Sequence, residues 1–354
     1  MFMTHNLAAP AESAAPPHPR EDALGLLFAG HSLSQAGAET LFQSLVAGTL
    51  DEPAIAGLLI ALRLKGETVD ELIGAARALR AADVPFERPD YLFADCCGTG
   101  GDGQSTINLS TAAAFVAAAA GLPVAKHGNR SFTSRCGSAD VLESLGVKID
   151  VPAALSRRAL DEVGICFLFA PAYHPGLKHA GPARRALKVR TIMNVLGPCV
   201  NPAEPPVQLL GVADPRLLEP VARTLAALGV KQALVVHGGG LDEVALHAET
   251  EAVRLDGGRL TRLVIAPEQV GFERAPLAWL RGGGPEENAQ RLRALLQVDG
   301  SLAERQTLAL NAGALLVTAG KAASLGDAVG LALETIGTGA GFRVLQRLAE
   351  ISHA

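Results

Sequence analysis

The densest concentration of chemically useful residues lies between positions 95 and 138. Gly98, Gly100, Gly101 and Gly103 put four glycines within six positions, and Asn108, Ser110 and Thr111 follow closely. That many glycines rule out a regular helix or strand and let consecutive N–H groups turn toward one ligand, as in an anion nest. An alanine-rich apolar run over 112–120 places Ser110 or Thr111 where a helix N-cap belongs, which aims the positive end of the helix dipole at the same spot. A second loop follows the short apolar run 122–125: Lys126, His127, Gly128, Asn129 and Arg130, then Ser131, Thr133, Ser134, Gly137 and Ser138. Two cations among hydroxyls between a strand and a helix start suit a second anion site. Plainer readings compete: an ordinary strand-to-helix turn, solvated surface cations, and a satisfied neutral His127 that only lines a pocket. Neither loop has the Gly-Lys-Ser/Thr ending of a Walker A motif, and no acidic residue after a second strand completes a dinucleotide fingerprint.

Two further groups stand out. Asp242 and Glu243 follow an apolar run ending at His237 and a turn at 238–240. Adjacent carboxylates are often solvated loop charges, yet a pair at a strand's C-terminal end, facing a phosphate nest, is also how magnesium is held through few protein ligands plus substrate oxygens. Residues 173–190 carry His174, Lys178, His179, Arg184, Arg185, Lys188 and Arg190, a basic density that a surface helix would also explain.

The elements that must position these residues fall into two patterns. Residues 22–82 read as short helices: Ser34 caps one carrying Leu41, Phe42 and Leu45, Asp51 caps one with Pro53 in its first turn and Gly66 at its end, and Thr68 with Glu71 forms a capping box before Leu72, Ile73, Ala76 and Leu79. They carry more apolar surface than a few turns bury alone, which suggests contact with a second subunit. Residues 83–90, with Pro85 and Pro89, form a stiff linker and candidate hinge. Beyond it strand alternates with helix. Strands are predicted at 91–97, 122–125, 147–151, 165–170, 207–212 and 232–237, with helices at 112–120, 139–145, 153–163 and 216–228. A hairpin over 255–260, turning at Gly257 and Gly258, adds to the sheet edge, and helices follow near 286–296, 303–319, 327–335 and 342–351. The fold class is therefore α/β: a small N-terminal helical domain plus a larger domain with a mostly parallel sheet covered by helices, ligands binding outside the strands' carboxyl ends. The expected division is a loose tail over 1–20, a helical domain over 21–84 to which later helices can add, and an α/β domain over 85–354. Asn311, inside an apolar helical run, reads as a structural hydrogen bonder.

With 354 residues, 49% hydrophobic and 19% charged, the chain has ample material for a core. A formal charge of −5 argues against broad nucleic-acid binding and leaves room for a local basic pocket. Five cysteines without a Cys-x-x-Cys pair, and no secretion signal, point to reduced thiols in the cytoplasm. No run approaches the ~20 apolar residues that span a bilayer.

Gly98-Thr99-Gly100-Gly101-Asp102, Asn108-Leu109-Ser110-Thr111 and Lys126-His127-Gly128-Asn129-Arg130, in this order and spacing, resemble the signature loops of the anthranilate phosphoribosyltransferases, within the nucleoside phosphorylase-like superfamily. The likeness runs from about residue 33 to near the C-terminus. It implies transfer of a phosphoribosyl group from phosphoribosyl pyrophosphate to the amine of anthranilate, in tryptophan biosynthesis, by a cytoplasmic homodimer joined through its helical domain, without nucleic acid or membrane. It implies donor contacts from Gly98, Gly101, Asp102, Thr106, Asn108, Ser110, Thr111, Lys126, His127, Gly128, Asn129, Arg130, Ser131, Ser134 and Ser138. Anthranilate falls to Gly98, Asn129 and Arg184, with Arg185 the neighbouring alternative, and Mg2+ to Ser110, Asp242 and Glu243. No residue need serve as nucleophile or base, because pyrophosphate is a good leaving group and an aromatic amine is neutral near pH 7. Cys136 departs from the serine expected there, and a thiol is a poor phosphate donor. Two rivals remain: a nucleoside phosphorylase, which needs neither pyrophosphate nor the acidic pair, and a non-catalytic relative that binds nucleic acid.

Overall fold

The computed structural model describes residues 19–131 and 135–354, with side chains from residue 23 onward. The expected tail lies outside the described residues except at its last two positions, where α1 (Pro19–Phe28) begins. Local punctuation sets the next three helices. The Ser34 hydroxyl accepts from Gly37 N at 3.2 Å to start α2 (Gln35–Val46), and Asp51 accepts from Ala54 N at 2.9 Å to start α3 (Glu52–Lys65). The Thr68–Glu71 capping box starts α4 (Val69–Ala81). Glu71 does more than cap: its buried carboxylate also accepts from Leu33 N at 2.9 Å and from Lys65 Nζ at 2.8 Å, tying three helix ends together.

After the linker, β1 (Ala94–Gly98), α5 (Leu109–Ala119), β2 (Val124–Gly128), α6 (Ser138–Ser144), α7 (Ala153–Val163) and β3 (Ile165–Phe169) alternate. The short α8 (Ala170–Tyr173), a 3-10 turn (Pro175–Ala180), α9 (Gly181–Leu187) and α10 (Ile192–Cys199) lead to β4 (Val207–Gly211), α11 (Leu218–Ala227) and β5 (Gln232–Gly238). The antiparallel hairpin β6 (Thr250–Asp256) and β7 (Arg259–Ile265) completes the sheet, and α12 (Pro285–Leu296), α13 (Leu302–Thr318), α14 (Leu325–Gly337) and α15 (Ala340–Ser352) close the chain. Strand order is β3-β2-β1-β4-β5-β6-β7, the first five parallel. Order reverses at β1, which opens a crevice at its carboxyl end.

Alternation along the strands splits the interior in two. Leu209, Leu234 and Val236 join a core with α5, α6, α7, α12, α13, α14 and α15, while Leu210, Ala233 and Val235 join one with α11 and the four N-terminal helices. Ala180, Ala183, Ile192, Met193 and Leu196, from the segment after β3, belong to that second core. The N-terminal helices are thus packed against a return of the later chain.

Two sequence expectations need correction. Residues 147–151 are not a strand: Val147 and Ile149 are buried alternately, but Lys148 N donates to Ser352 Oγ at 2.9 Å in α15, so the backbone pairs with helices rather than with a neighbouring strand. Helix α5 begins before Ser110; its N-cap position is Asn108, with no side-chain capping bond. Smaller shifts occur at 91–93, which precede β1, and at 215–217, a 3-10 turn ahead of α11.

Candidate active site

The end of β1 is shaped by what crosses it. Gly98 pairs with Gly211 of β4, and the segment carrying Asp242 passes over both; a side chain on either glycine would overlap Asp242. Gly98 is therefore required for close packing of an acid, a role its place among expected ligand contacts did not reveal. Gly100, Gly101 and Gly103 adopt φ of 67°, 75° and 77°, the left-handed region that glycine enters without strain. The nest is formed, and its Gly100 N–H donates to Asp242 Oδ2 at 2.7 Å.

Glu243 supplies what the missing N-cap does not. Its Oε1 accepts from Ser110 N at 3.1 Å, inside the first turn of α5, so a carboxylate 133 positions away in sequence meets the dipole's positive end. Asn311 of α13 holds this acidic segment: its side chain accepts from Val244 N and donates to Val244 O, both at 2.9 Å. Lys126 is buried, with Nζ donating to Cys96 O at 2.7 Å and to Ser110 Oγ at 3.4 Å. Burial, then the Asp102 carboxylate, push Asp242 up to about 7. Burial, then Asp242, push Glu243 up to about 8, with Lys126 opposing. Two crowded, desolvated carboxyls are short of positive charge.

The second loop lies beside the first, since β2 neighbours β1. Asp140 of α6 fixes it, accepting from Gly137 N at 2.8 Å and Ser131 N at 3.1 Å, while Ser138 Oγ donates to Asn129 O at 3.4 Å. Arg130 is exposed, ion-paired with Asp140 and Glu143 and stacked over Phe169 with 5.7 Å to the ring centroid. Its guanidinium is thus engaged by α6 and Phe169, although the residue also lines the cavity that both loops share.

Both loops open into one cavity of about 290 Å³. Gly98, Gly101, Asn108, Ser110, Thr111, Lys126, His127, Gly128, Asn129, Arg130, Ser131, Ser138, Asp242, Glu243 and Arg184 all line it. Two expected residues are not among the lining. Thr106 sits behind the loop, bridged to Arg281 in antiparallel fashion, and Asp102 Oδ1 accepts from Gln104 N at 3.0 Å while facing Asp242. Ser134 lies outside the described residues. Arg184 is partly buried, which lowers its pKa, whereas Arg185 is exposed and away from the cavity.

Sequence reasoning missed a further wall: Ala170, His174, Leu177, Met193, Gly197 and Pro198. Most are apolar or glycine, with no signal to separate them from core; the basic density around His174 and Arg184 was the only trace. These apolar side chains and Arg184 line the same cavity as the nest, a combination suited to an aromatic carboxylate beside phosphates. Among the described residues no cluster of three or more His, Cys, Asp or Glu could hold a metal ion. Asp242, Glu243 and the Ser110 hydroxyl instead offer hard oxygens to a cation that takes its other ligands from a bound diphosphate, and the charge deficit at the two acids fits that arrangement.

Comparison with known proteins agrees with this geometry. Residues 90–342 match the family described as glycosyl transferase family, a/b domain, and residues 21–82 match its helical bundle domain. Anthranilate phosphoribosyltransferase of Sorangium cellulosum is 60% identical over 326 residues, covering 92% of this chain and 94% of the relative. The crystal structure of anthranilate phosphoribosyltransferase from Thermus thermophilus superposes with a TM-score of 0.89 at 43% identity, over 94% of this chain and 100% of that one. The Saccharomyces cerevisiae enzyme in complex with PRPP and Mg superposes with a TM-score of 0.87 at 25% identity, over 94% of this chain and 98% of that one.

Proposed function

The chain belongs to the anthranilate phosphoribosyltransferase family, and from that premise we propose how its cavity carries out the reaction. The enzyme transfers the phosphoribosyl group of phosphoribosyl pyrophosphate to the amine of anthranilate, a step of tryptophan biosynthesis. One observation carries the reading: the glycine nest, Lys126 on β2 with the loop that follows it, the acidic pair and Arg184 all line a single cavity.

In this reading the diphosphate end of the donor enters the nest and takes the Gly100 N–H from Asp242, and Lys126 faces the same oxygens. Arg184 receives the acceptor carboxylate in a planar fork, Asn129 helps orient it, and Leu177, Met193 and Pro198 enclose the ring and exclude water. The C1–O bond breaks with its electron pair on pyrophosphate, the amine lone pair forms the new C1–N bond, and one proton passes from that nitrogen to the released pyrophosphate or to water. Mg2+, held by Asp242, Glu243 and Ser110 together with donor oxygens, would neutralise the departing pyrophosphate. No side chain need act as nucleophile, so rate comes from positioning and electrostatics.

The same proposal includes two coarser features of setting. Leu26 and Phe28 on α1 and Leu64 on α3 are exposed, the last two at 61% and 80%, and support a homodimer joined through the helical domain. Five free cysteines, and no described helix long and apolar enough to cross a membrane, agree with a reducing cytoplasm.

The test follows anthranilate fluorescence with phosphoribosyl pyrophosphate and magnesium, then with chelator. Loss of signal only when donor and metal are both present supports the reading. Turnover of a nucleoside with phosphate instead, or turnover indifferent to chelator, overturns it.

A further inference from the structure

Four segments distant in sequence meet behind the acceptor side of the cavity. His127, at the end of β2, places Nε2 3.0 Å from Nε2 of His174, and its ring also hydrogen-bonds the Gly197 carbonyl in α10. The Nδ1 of His174 is hydrogen-bonded to Oδ1 of Asp83, in the linker between α4 and β1. The His174 and Asp83 side chains are 3% and 8% exposed. One residue on, Val84 N donates to Tyr173 O at 2.8 Å, so the linker is joined at two adjacent points to the segment after β3. Both histidines line the cavity, whereas Asp83 is not among its lining, and its Oδ2 is buried with no hydrogen-bond partner among the described residues.

Proton placement restricts this chain. The Gly197 backbone favours, without alone fixing, a proton on the His127 nitrogen away from His174. In that tautomer the hydrogen between the two Nε2 atoms belongs to His174. One more proton lies between His174 Nδ1 and Asp83, whichever atom holds it. Each arrangement leaves His127 neutral in a single tautomer, and burial and the neighbouring His174 favour the same state. Without an acidic partner at position 83, the His174 tautomers become close in energy and nothing selects the one that donates to His127.

We propose that Asp83 is a positioning residue for acceptor binding: through His174 it fixes the tautomer and plane of His127, and through Gly197 it ties the wall formed by Met193, Gly197 and Pro198 to the interdomain linker. This rests on the acceptor assignment above. It also makes the acceptor half of the site sensitive to linker position, while the glycine nest, Lys126 and the acidic segment are held by hydrogen bonds that do not involve Asp83.

The experiment pairs kinetics with nitrogen NMR on full-length protein labelled at histidine. Asp83→Ala should raise the KM for anthranilate by about tenfold, with kcat and the KM for phosphoribosyl pyrophosphate each within about twofold. Asp83→Asn, whose amide can donate to His174 Nδ1 and preserve the chain, should restore the KM to within about threefold of wild type. In wild type the His127 nitrogens should report a neutral ring protonated only on the side of Gly197, and in Asp83→Ala a mixture of tautomers. A purely structural linker role would lower the melting temperature and leave the His127 resonances and the substrate selectivity alone. Equal losses in both KM values, an Asn variant as impaired as Ala, or a wild-type His127 protonated toward His174 would each overturn the proposal. The NMR reading needs no turnover, so failure of the chain and failure of the assigned reaction are told apart.

Discussion

Asp242 and Glu243 are where residue chemistry has the largest consequence. Both carboxyls are pushed well above the ordinary range near 4, Asp242 to about 7 and Glu243 to about 8, because burial disfavours their charged forms and a neighbouring carboxylate, Asp102 for Asp242 and Asp242 for Glu243, adds repulsion. For a carboxyl raised on folding, the native state binds the extra proton, so its contribution to metal-free stability is full below the unfolded value and is lost as pH rises through 7 to 8. A metal ion competes with those protons and should bind more tightly across the same interval. Magnesium is therefore expected to raise the melting temperature more at about pH 8.5 than at about pH 6. Equal gains would reject the acids as the metal's holders. Arg184 gives a second residue-level expectation. Replacing it with alanine removes a charge-assisted pair of about 1.5–3 kcal/mol, raising the anthranilate KM about 10- to 150-fold with donor affinity nearly intact. Unchanged acceptor binding in initial-rate kinetics would assign the carboxylate elsewhere.

At the scale of elements, the site depends on two contacts that join parts of the chain far apart. Glu243 occupies the first turn of α5, and Asn311 from α13 clamps the backbone of Val244. The acidic segment is thus held between one helix start and one helix interior, directly above the Gly98–Gly211 pair. Asn311→Ala would leave the N–H and carbonyl of Val244 buried without those partners, at a cost of about 1–3 kcal/mol each. The expected result is a lower urea midpoint together with weaker magnesium binding. Normal metal affinity in the variant would mean that the acids keep their place without the clamp. The expectation that Asn311 is structural was right in kind; that it positions the acids could not be seen without the fold.

For the whole molecule, the two cores and the return of residues 175–199 to the N-terminal helices describe how the halves are joined. The apolar wall with Leu177, Met193 and Pro198 is carried on that return, while the nest follows β1 and Lys126 lies on β2. If the proposed acceptor assignment holds, relative movement of the halves would change acceptor contacts before donor contacts. The exposed Leu26, Phe28 and Leu64 give the dimer proposal its test. Replacing Phe28 and Leu64 with glutamate should turn a dimer into a monomer in analytical ultracentrifugation, and a wild-type chain that sediments as a monomer would end the idea.

Local rules written in the chain were enough for the helix caps at Ser34, Asp51 and Thr68, the alternation of strand and helix, the Gly257–Gly258 hairpin and the left-handed glycine loop, because each depends on neighbours a few residues apart. The motif spacing likewise identified the family and singled out two loops that open into one cavity. Tertiary structure alone decided that α5 is capped by Glu243, that residues 147–151 pair with a helix instead of a strand, and that Arg130 is ion-paired to α6. It alone brought Asp83, His174 and His127 into one line and set an apolar wall in the same cavity as the nest. The reason is common to all of these. A partner supplied from a hundred residues away leaves no periodic or compositional trace at the position it completes, and only the packing of the sheet brings the two together.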